Sequence, residues 1–453
     1  MKMSKNISRL LAISAVTAAL VAGVLMNSPK ATGQAQQRAA ISSRAAREAA
    51  IVTTTTAVLQ DTSKIRELPI LRPVKSGAQS RIEIERMLVK NLYEQMTTSE
   101  MHATEVAYRK WGLAPADFEY RPLIIKVLLE QVAGYYDPVA REFYLADWLE
   151  VETQKPVMAH ELTHALQDQH FNLRRFQKWP HGDSDAELAA HALIEGDATL
   201  AMMVYMAKNP LVALAFTRSL SSGVNTEQFN KAPRALRESL IFPYLQGSEW
   251  ATVVYRRDGF AGMSAAFTKL PLSTEQILHP EKYLTYERPL KITLPDVSGL
   301  LNAAEKNPTS GLPAASWHRI DADVNGEWGY YLLLDQFLNA PADSRRAAAG
   351  WAGDRYDVYE GANPAQVMIA HVSAWDTEAD AREFFDAYVK RTQRRYPNAN
   401  FLSDTRNPPS DTLKISQTSE GQVVMELRGL RVIIIEGLPP QVSANDLLKT
   451  LRS

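Results

Sequence analysis

Pro156-Val157-Met158-Ala159-His160-Glu161-Leu162-Thr163-His164-Ala165-Leu166-Gln167-Asp168-Gln169-His170 is the stretch on which the reading of this chain turns. Pro156 suits the first turn of a helix, where its missing N–H costs nothing, and no Pro or Gly interrupts the run up to Phe171. At about 100° per residue, Met158, Leu162, Ala165 and Leu166 fall roughly opposite the edge that carries His160 and His164. One face is therefore expected in the core. On the other, two imidazoles at i and i+4 stack and can hold one Zn²⁺, with the Glu161 carboxylate beside the metal.

A third ligand has to come from elsewhere. His170 stands ten residues after His160, as in the metzincin pattern HExxHxxGxxH. That pattern needs Gly where this chain has Gln167, because a left-handed turn there swings the last His back. In an unbroken helix His170 points roughly 100° away from the His160/His164 edge. The other source is Asp185 to Ala201, a strong helical pattern with Glu187, His191, Glu195 and Thr199 on one face. Buried carboxylates and imidazoles on an Ala/Leu-rich helix need partners, and a metal is one. Glu195 is the favoured ligand, with His170, Glu187, His191 and Asp197 as the other candidates. Gly196 beside it would let two helices approach closely, and Asp197 and His191 could orient the metal-bound imidazoles from outside.

His160-Glu161-Leu162-Thr163-His164 followed by Glu195-Gly196-Asp197-Ala198 resembles the thermolysin-like gluzincins of peptidase clan MA, and the fuller string to Phe171 resembles exported bacterial metallopeptidases. The similarity covers the two active-site helices. It departs from the thermolysin pattern in the long gap between His164 and Glu195, and in having Thr199 where an acid would stand four residues after the Glu. The resemblance implies a zinc metallopeptidase: His160, His164 and Glu195 hold Zn²⁺, Glu161 is the general base, and the substrate is a peptide or protein. A hydrogen-bond donor for the oxyanion is also expected, with Tyr244, His279 and Tyr283 as candidates. Two competing functions share the motif: a non-catalytic envelope scaffold that keeps the fold, and a zinc hydrolase of a cell-wall amide.

The 453 residues, 45% hydrophobic and 22% charged, suffice for two or three domains. A net charge of −1 gives no electrostatic footprint for a nucleic-acid partner. Lys2, Lys5 and Arg9 precede an apolar run from Leu10 to Met26 and then small residues, the layout of a secretory signal or an uncleaved N-terminal anchor. Export is expected either way, and with no Cys there is neither a disulfide nor a lipid-attachment cysteine.

The expected fold class is α+β: a mostly helical, zincin-like catalytic domain with a short sheet and edge hairpin, then a small C-terminal α+β domain. Residues 1–33 read as signal or anchor, 34–78 as a flexible linker rich in Ala, Ser, Thr, Arg and Gln, 79–345 as the catalytic domain and 346–453 as the tail domain. Gln131 to Ala146, aromatic on both sides of Asp137-Pro138, reads as a hairpin whose edge could pair with a peptide backbone. Asp296 to Ser316 reads as loop and Asp321 to Phe337 as helix. The tail is expected to carry strands at Gln366–Trp375, Leu413–Gln417, Val423–Leu427 and Arg431–Glu436, with helices at Glu378–Arg394 and Ala444–Leu451.

Overall fold

Ser80 and Thr97 each begin a helix with a reciprocal cap: the hydroxyl accepts from the backbone of Glu83 or Glu100, whose carboxylate accepts from the cap residue's own N–H. The second cap is what divides the helical pattern of 81–111 in two. A computed structural model of the chain describes residues 34–179, 182–221, 226–304, 317–405 and 412–452. The expected signal or anchor therefore lies outside the described residues.

In chain order the elements are α1 (Gln34–Arg66), β1 (Lys75–Gln79), α2 (Arg81–Gln95), α3 (Thr98–Trp111), α4 (Tyr120–Gln131), β2 (Gly134–Asp137), β3 (Glu142–Ala146), α5 (Lys155–Phe171), α6 (Ser184–Lys208), α7 (Pro210–Ser221), α8 (Glu227–Lys231) and α9 (Arg234–Ala266). There follow α10 (Thr274–Leu278), α11 (Pro280–Thr285), α12 (Ser298–Ala304), β4 (His318–Asp323), α13 (Gly326–Leu338), α14 (Pro341–Ala348), β5 (Trp351–Glu360), β6 (Val367–Trp375), α15 (Glu378–Arg395), β7 (Leu402–Thr405), β8 (Thr412–Thr418), β9 (Gly421–Arg428), β10 (Arg431–Leu438) and α16 (Ala444–Leu451). The class is α+β and mostly helical. Among the described residues no single helix is long and apolar enough to cross a membrane.

The expected hairpin is β2–β3, and β1 joins β3 in parallel, so the short sheet has the order β1-β3-β2 with β2 at an edge. It packs on α5, which α1 and α6 also flank. The helix is buried from Pro156 to Asp168 on every side, not only along the apolar back. Asn172 ends it in a left-handed conformation, and Asp168 Oδ1 accepts from Leu173 N–H at 3.0 Å.

Several expectations are corrected. Residues 34–78 are not a linker. In α1, Ile51, Thr55, Val58, Thr62 and Ile65 are all buried and recur at alternating four- and three-residue steps. That is a packing seam, but threonine fills two of its five positions, so a count of apolar residues misses it.

Nor does the sheet of the tail begin at 346. It is seven-stranded and antiparallel, in the order β4-β5-β6-β10-β9-β8-β7, and opens at His318. Residues Asp321 to Asp323, expected as helix, are strand, and the helix starts only at Gly326. β5 was hidden by its charges. Asp354 is buried because it accepts from the N–H groups of Asn325 and Gly326 at the start of α13, each at 3.0 Å, and Asp357 because it meets Arg319 at 3.0 Å. Within 296–316, α12 forms over Ser298–Ala304; 305–316 lie outside the described residues.

β6 is buried along its whole length. Phe384, Phe385 and Tyr388 of α15 cover one face of the sheet, while Leu447, Leu448 and Leu451 of α16 cover the other with Val297 and Leu301. The unit is fastened to the helical lobe through buried cations: Arg391 donates to the Trp111 carbonyl at 2.5 Å and pairs with Glu436 at 2.8 Å, and Arg395 donates to the Lys110 carbonyl at 2.6 Å.

Candidate metal centre

Helices α5 and α6 bring the three favoured ligands together. His160 Nε2 lies 3.1 Å from Glu195 Oε2, His164 Nε2 lies 3.2 Å from the same oxygen, and the two Nε2 atoms are 3.1 Å apart. All three residues are buried. In a tetrahedral zinc site with bonds of ~2.0–2.1 Å, neighbouring donor atoms stand about 3.3 Å apart. The donor set and its edges therefore fit Zn²⁺.

The approach of the helices depends on two glycines. A Cβ on Gly196 would run into the Gly247 backbone of α9, and one on Gly247 into the Ala192 carbonyl of α6. The anticipated close contact beside Glu195 is thus present, with α9 as its partner. It delivers Tyr244, whose ring stacks on His160 with centroids 6.1 Å apart. Burial, together with the negative charges of Glu195 and Glu161, raises the Tyr244 hydroxyl well above its ordinary range, so it stays protonated; it hydrogen-bonds to Glu195.

Electrostatics in the cluster follow from burial and from one central carboxylate. Burial disfavours a charged His164, but Glu195 outweighs it and raises the imidazole to about 9; His160 is lowered, burial outweighing the same neighbour. Glu195 itself is held far below the usual carboxylate range: burial opposes this, and the His164 and His160 contacts override it. A cation is what this carboxylate is arranged to meet. Glu161, one residue along the helix, is pushed up to about 8 by burial, and its Oε2 accepts the Tyr136 N–H at 3.0 Å from the outward side of β2.

A line of hydrogen bonds runs out from His164. Gln167 Nε2 donates to the Ile194 carbonyl at 3.0 Å and to Asp197 Oδ2 at 2.8 Å, which leaves Gln167 Oε1 to accept from His164 Nδ1 at 2.8 Å. In the neutral ring that bond puts the proton on Nδ1 and leaves Nε2 for a metal. Asp197 is in turn held by Arg66, the last residue of α1, whose Nε donates to Oδ2 at 2.9 Å and lies 2.7 Å from Oδ1. Arg66 also reaches Phe260 O and Ser264 Oγ of α9 at 3.3 and 3.1 Å.

The remaining candidates fall elsewhere. His170 is at the helix end, with Nε2 2.8 Å from Pro69 O. His191 Nδ1 donates to the Glu187 carbonyl at 2.9 Å, and burial pushes its imidazole down to about 4; neither residue joins the ligand cluster. Asp197 acts on His164 only through Gln167. His279 pairs with Glu327 at 2.9 Å and Tyr283 donates to the Lys269 carbonyl at 2.9 Å, so of the three oxyanion candidates only Tyr244 stands at the cluster. A second group of carboxylates, Glu275, Glu287 and Asp376, is filled by the Lys282 ammonium at 2.7, 2.9 and 2.7 Å.

Sequence reasoning missed Gln167, Arg66 and Tyr136. Gln167 was detectable, being i+3 from His164 and hence on its face. Arg66 and Tyr136 come from distant elements, and nothing local marks them.

One family matches part of the chain: a domain of unknown function, DUF8575, over residues 315–448. That span runs from β4 into α16 and contains none of the cluster residues. No curated protein and no solved structure matches.

Proposed function

We propose that the protein is an exported zinc-dependent peptidase. The observation that carries this is the convergence of His160 Nε2, His164 Nε2 and Glu195 Oε2 to 3.1–3.2 Å, with a free carboxylate, Glu161, on the same helix edge. Zinc held by these three groups supplies Lewis acidity toward a water and a scissile carbonyl. Glu161 takes the water proton and passes it to the leaving nitrogen. Before substrate arrives, Tyr136 N–H holds the carboxylate through one oxygen. The Tyr244 hydroxyl, kept protonated, is the donor for the developing oxyanion. Along β2 the outward backbone groups suit an extended peptide, laid as a further strand.

The test is zinc content together with cleavage of a mixed peptide library by the full chain. Glu161→Gln is expected to keep zinc while losing ~10²-fold or more in activity. Glu195→Ala is expected to lose most zinc and His170→Ala to keep it. Zinc in Glu195→Ala equal to wild type removes the ligand set, and stoichiometric zinc without peptide cleavage removes the peptidase reading.

A further inference from the structure

Where the helical lobe meets the sheet unit, the side chains leave a cavity of about 100 Å³. Trp111 of α3, Leu188 of α6 and Leu240 of α9 line it from one side, and Trp328 and Leu332 of α13 and Tyr356 of β5 from the other. Clefts between packed units are preferred positions for small-molecule sites, and such sites combine apolar walls with a few polar groups. Here the polar groups have nothing to bind. Trp111 is 3% and Trp328 6% exposed, and the indole N–H of each is buried with no hydrogen-bond partner among the described residues.

A buried, unpaired N–H costs roughly 1–3 kcal/mol, and here two of them stand on residues around one cavity. Among the other polar groups of the wall, the Asn325 amide nitrogen is also a buried donor without a partner among the described residues, the Ser184 hydroxyl donates to Asp323 at 2.8 Å, and Asp185 accepts from the Thr274 N–H at 3.1 Å and from the Thr274 hydroxyl. Burial raises the Asp185 carboxyl well above the usual range. What is left is a greasy chamber with surplus donors. An apolar cavity of on the order of 150 Å³ takes benzene, so this one suits a guest somewhat smaller.

We propose that this cavity is a binding site for a small apolar molecule carrying a carbonyl acceptor, of the size of a four-membered cyclic ketone. The acceptor takes the indole N–H groups of Trp111 and Trp328, and the hydrocarbon part fills the space against Leu188, Leu240 and Leu332. The proposal is independent of the metal centre, although it shares two walls with it. Leu188 lies about two turns before Glu195 on α6, and Leu240 about one turn before Tyr244 on α9.

The experiment is a calorimetric titration of the purified full chain with cyclobutanone and with methylenecyclobutane, which has the same shape and no acceptor oxygen. Cyclobutanone is expected to saturate a single site about fivefold or more tighter than the hydrocarbon, the value of one net hydrogen bond. Chelator-treated protein is expected to bind it equally. Ala235→Leu, which fills the cavity, is expected to abolish both isotherms, and Trp328→Phe to narrow the difference between the two compounds. Equal affinities, no saturation by either compound in wild-type protein, or ketone binding that survives Ala235→Leu would each overturn the proposal.

Discussion

His164 is the residue through which most of the site is connected. Its Nδ1 is tied to Gln167, Gln167 to Asp197, and Asp197 to Arg66, so an imidazole on α5 is oriented by a guanidinium from the first described helix. Gln167→Met keeps the volume and removes both the acceptor for His164 and the donor to Ile194 and Asp197. It is expected to weaken zinc binding ~10- to 100-fold in competition with a chelating dye, and to cost about 1–3 kcal/mol in denaturant unfolding. Arg66→Met is expected to do more: it strands a buried carboxylate, and breaking such a pair costs about 3–5 kcal/mol, read by denaturant unfolding. For Tyr244→Phe the expectation is intact zinc and a fall in kcat of ~10²-fold, with KM moving much less. Of these residues the sequence marked the ligands, the base and Tyr244 as a candidate, because motif spacing is local. Arg66 was illegible because its only signal is a partner more than a hundred positions away.

At the scale of elements, the contact between α6 and α9 decides whether Glu195 and Tyr244 share a site. Gly196→Ala and Gly247→Ala each place a methyl group against facing backbone, which has no rotamer with which to yield. Either is expected to cost about 1–3 kcal/mol in chemical denaturation and to lower zinc affinity, since the helices must part. A Gly299→Ala control, where a Cβ meets nothing within 4 Å, should change neither. The helices of the site were readable from their 3.6-residue period and the hairpin from its Asp-Pro turn. The elements that were misread share a cause: α1 hides its seam behind threonines and β5 its burial behind aspartates. In both, polar side chains satisfied by distant partners outweigh local hydropathy.

Over the whole molecule, the sheet unit is locked to the helical lobe by Glu436 and its two arginines. Burial alone would raise Glu436, but Arg391 and Arg395 bring it down to about 2. A carboxylate depressed on folding adds stability that is present above its ordinary range and is lost as pH falls through the folded value. The window is therefore from about 4.5 down to 2, and the full loss is roughly 3 kcal/mol. Asp354 and Glu275, both pushed up to about 7 by burial, act at higher pH and with the opposite sign, whereas Glu195, also held below its ordinary range, adds to the same acid limb. Glu436→Gln should therefore make the limb shallower than that of wild type in a series of denaturant melts, without abolishing it; an unchanged slope would remove the arginines' role. The amide that Glu161 grips, Tyr136 N–H, is an outward donor of an edge strand, so any polypeptide zipping onto that rim competes for the same proton. Docking would then unlatch the base, and an empty cleft would idle with its reactive group tethered. Ligands too short to reach the latch are expected to lose turnover rather than affinity, at least ~10-fold in kcat across a length series.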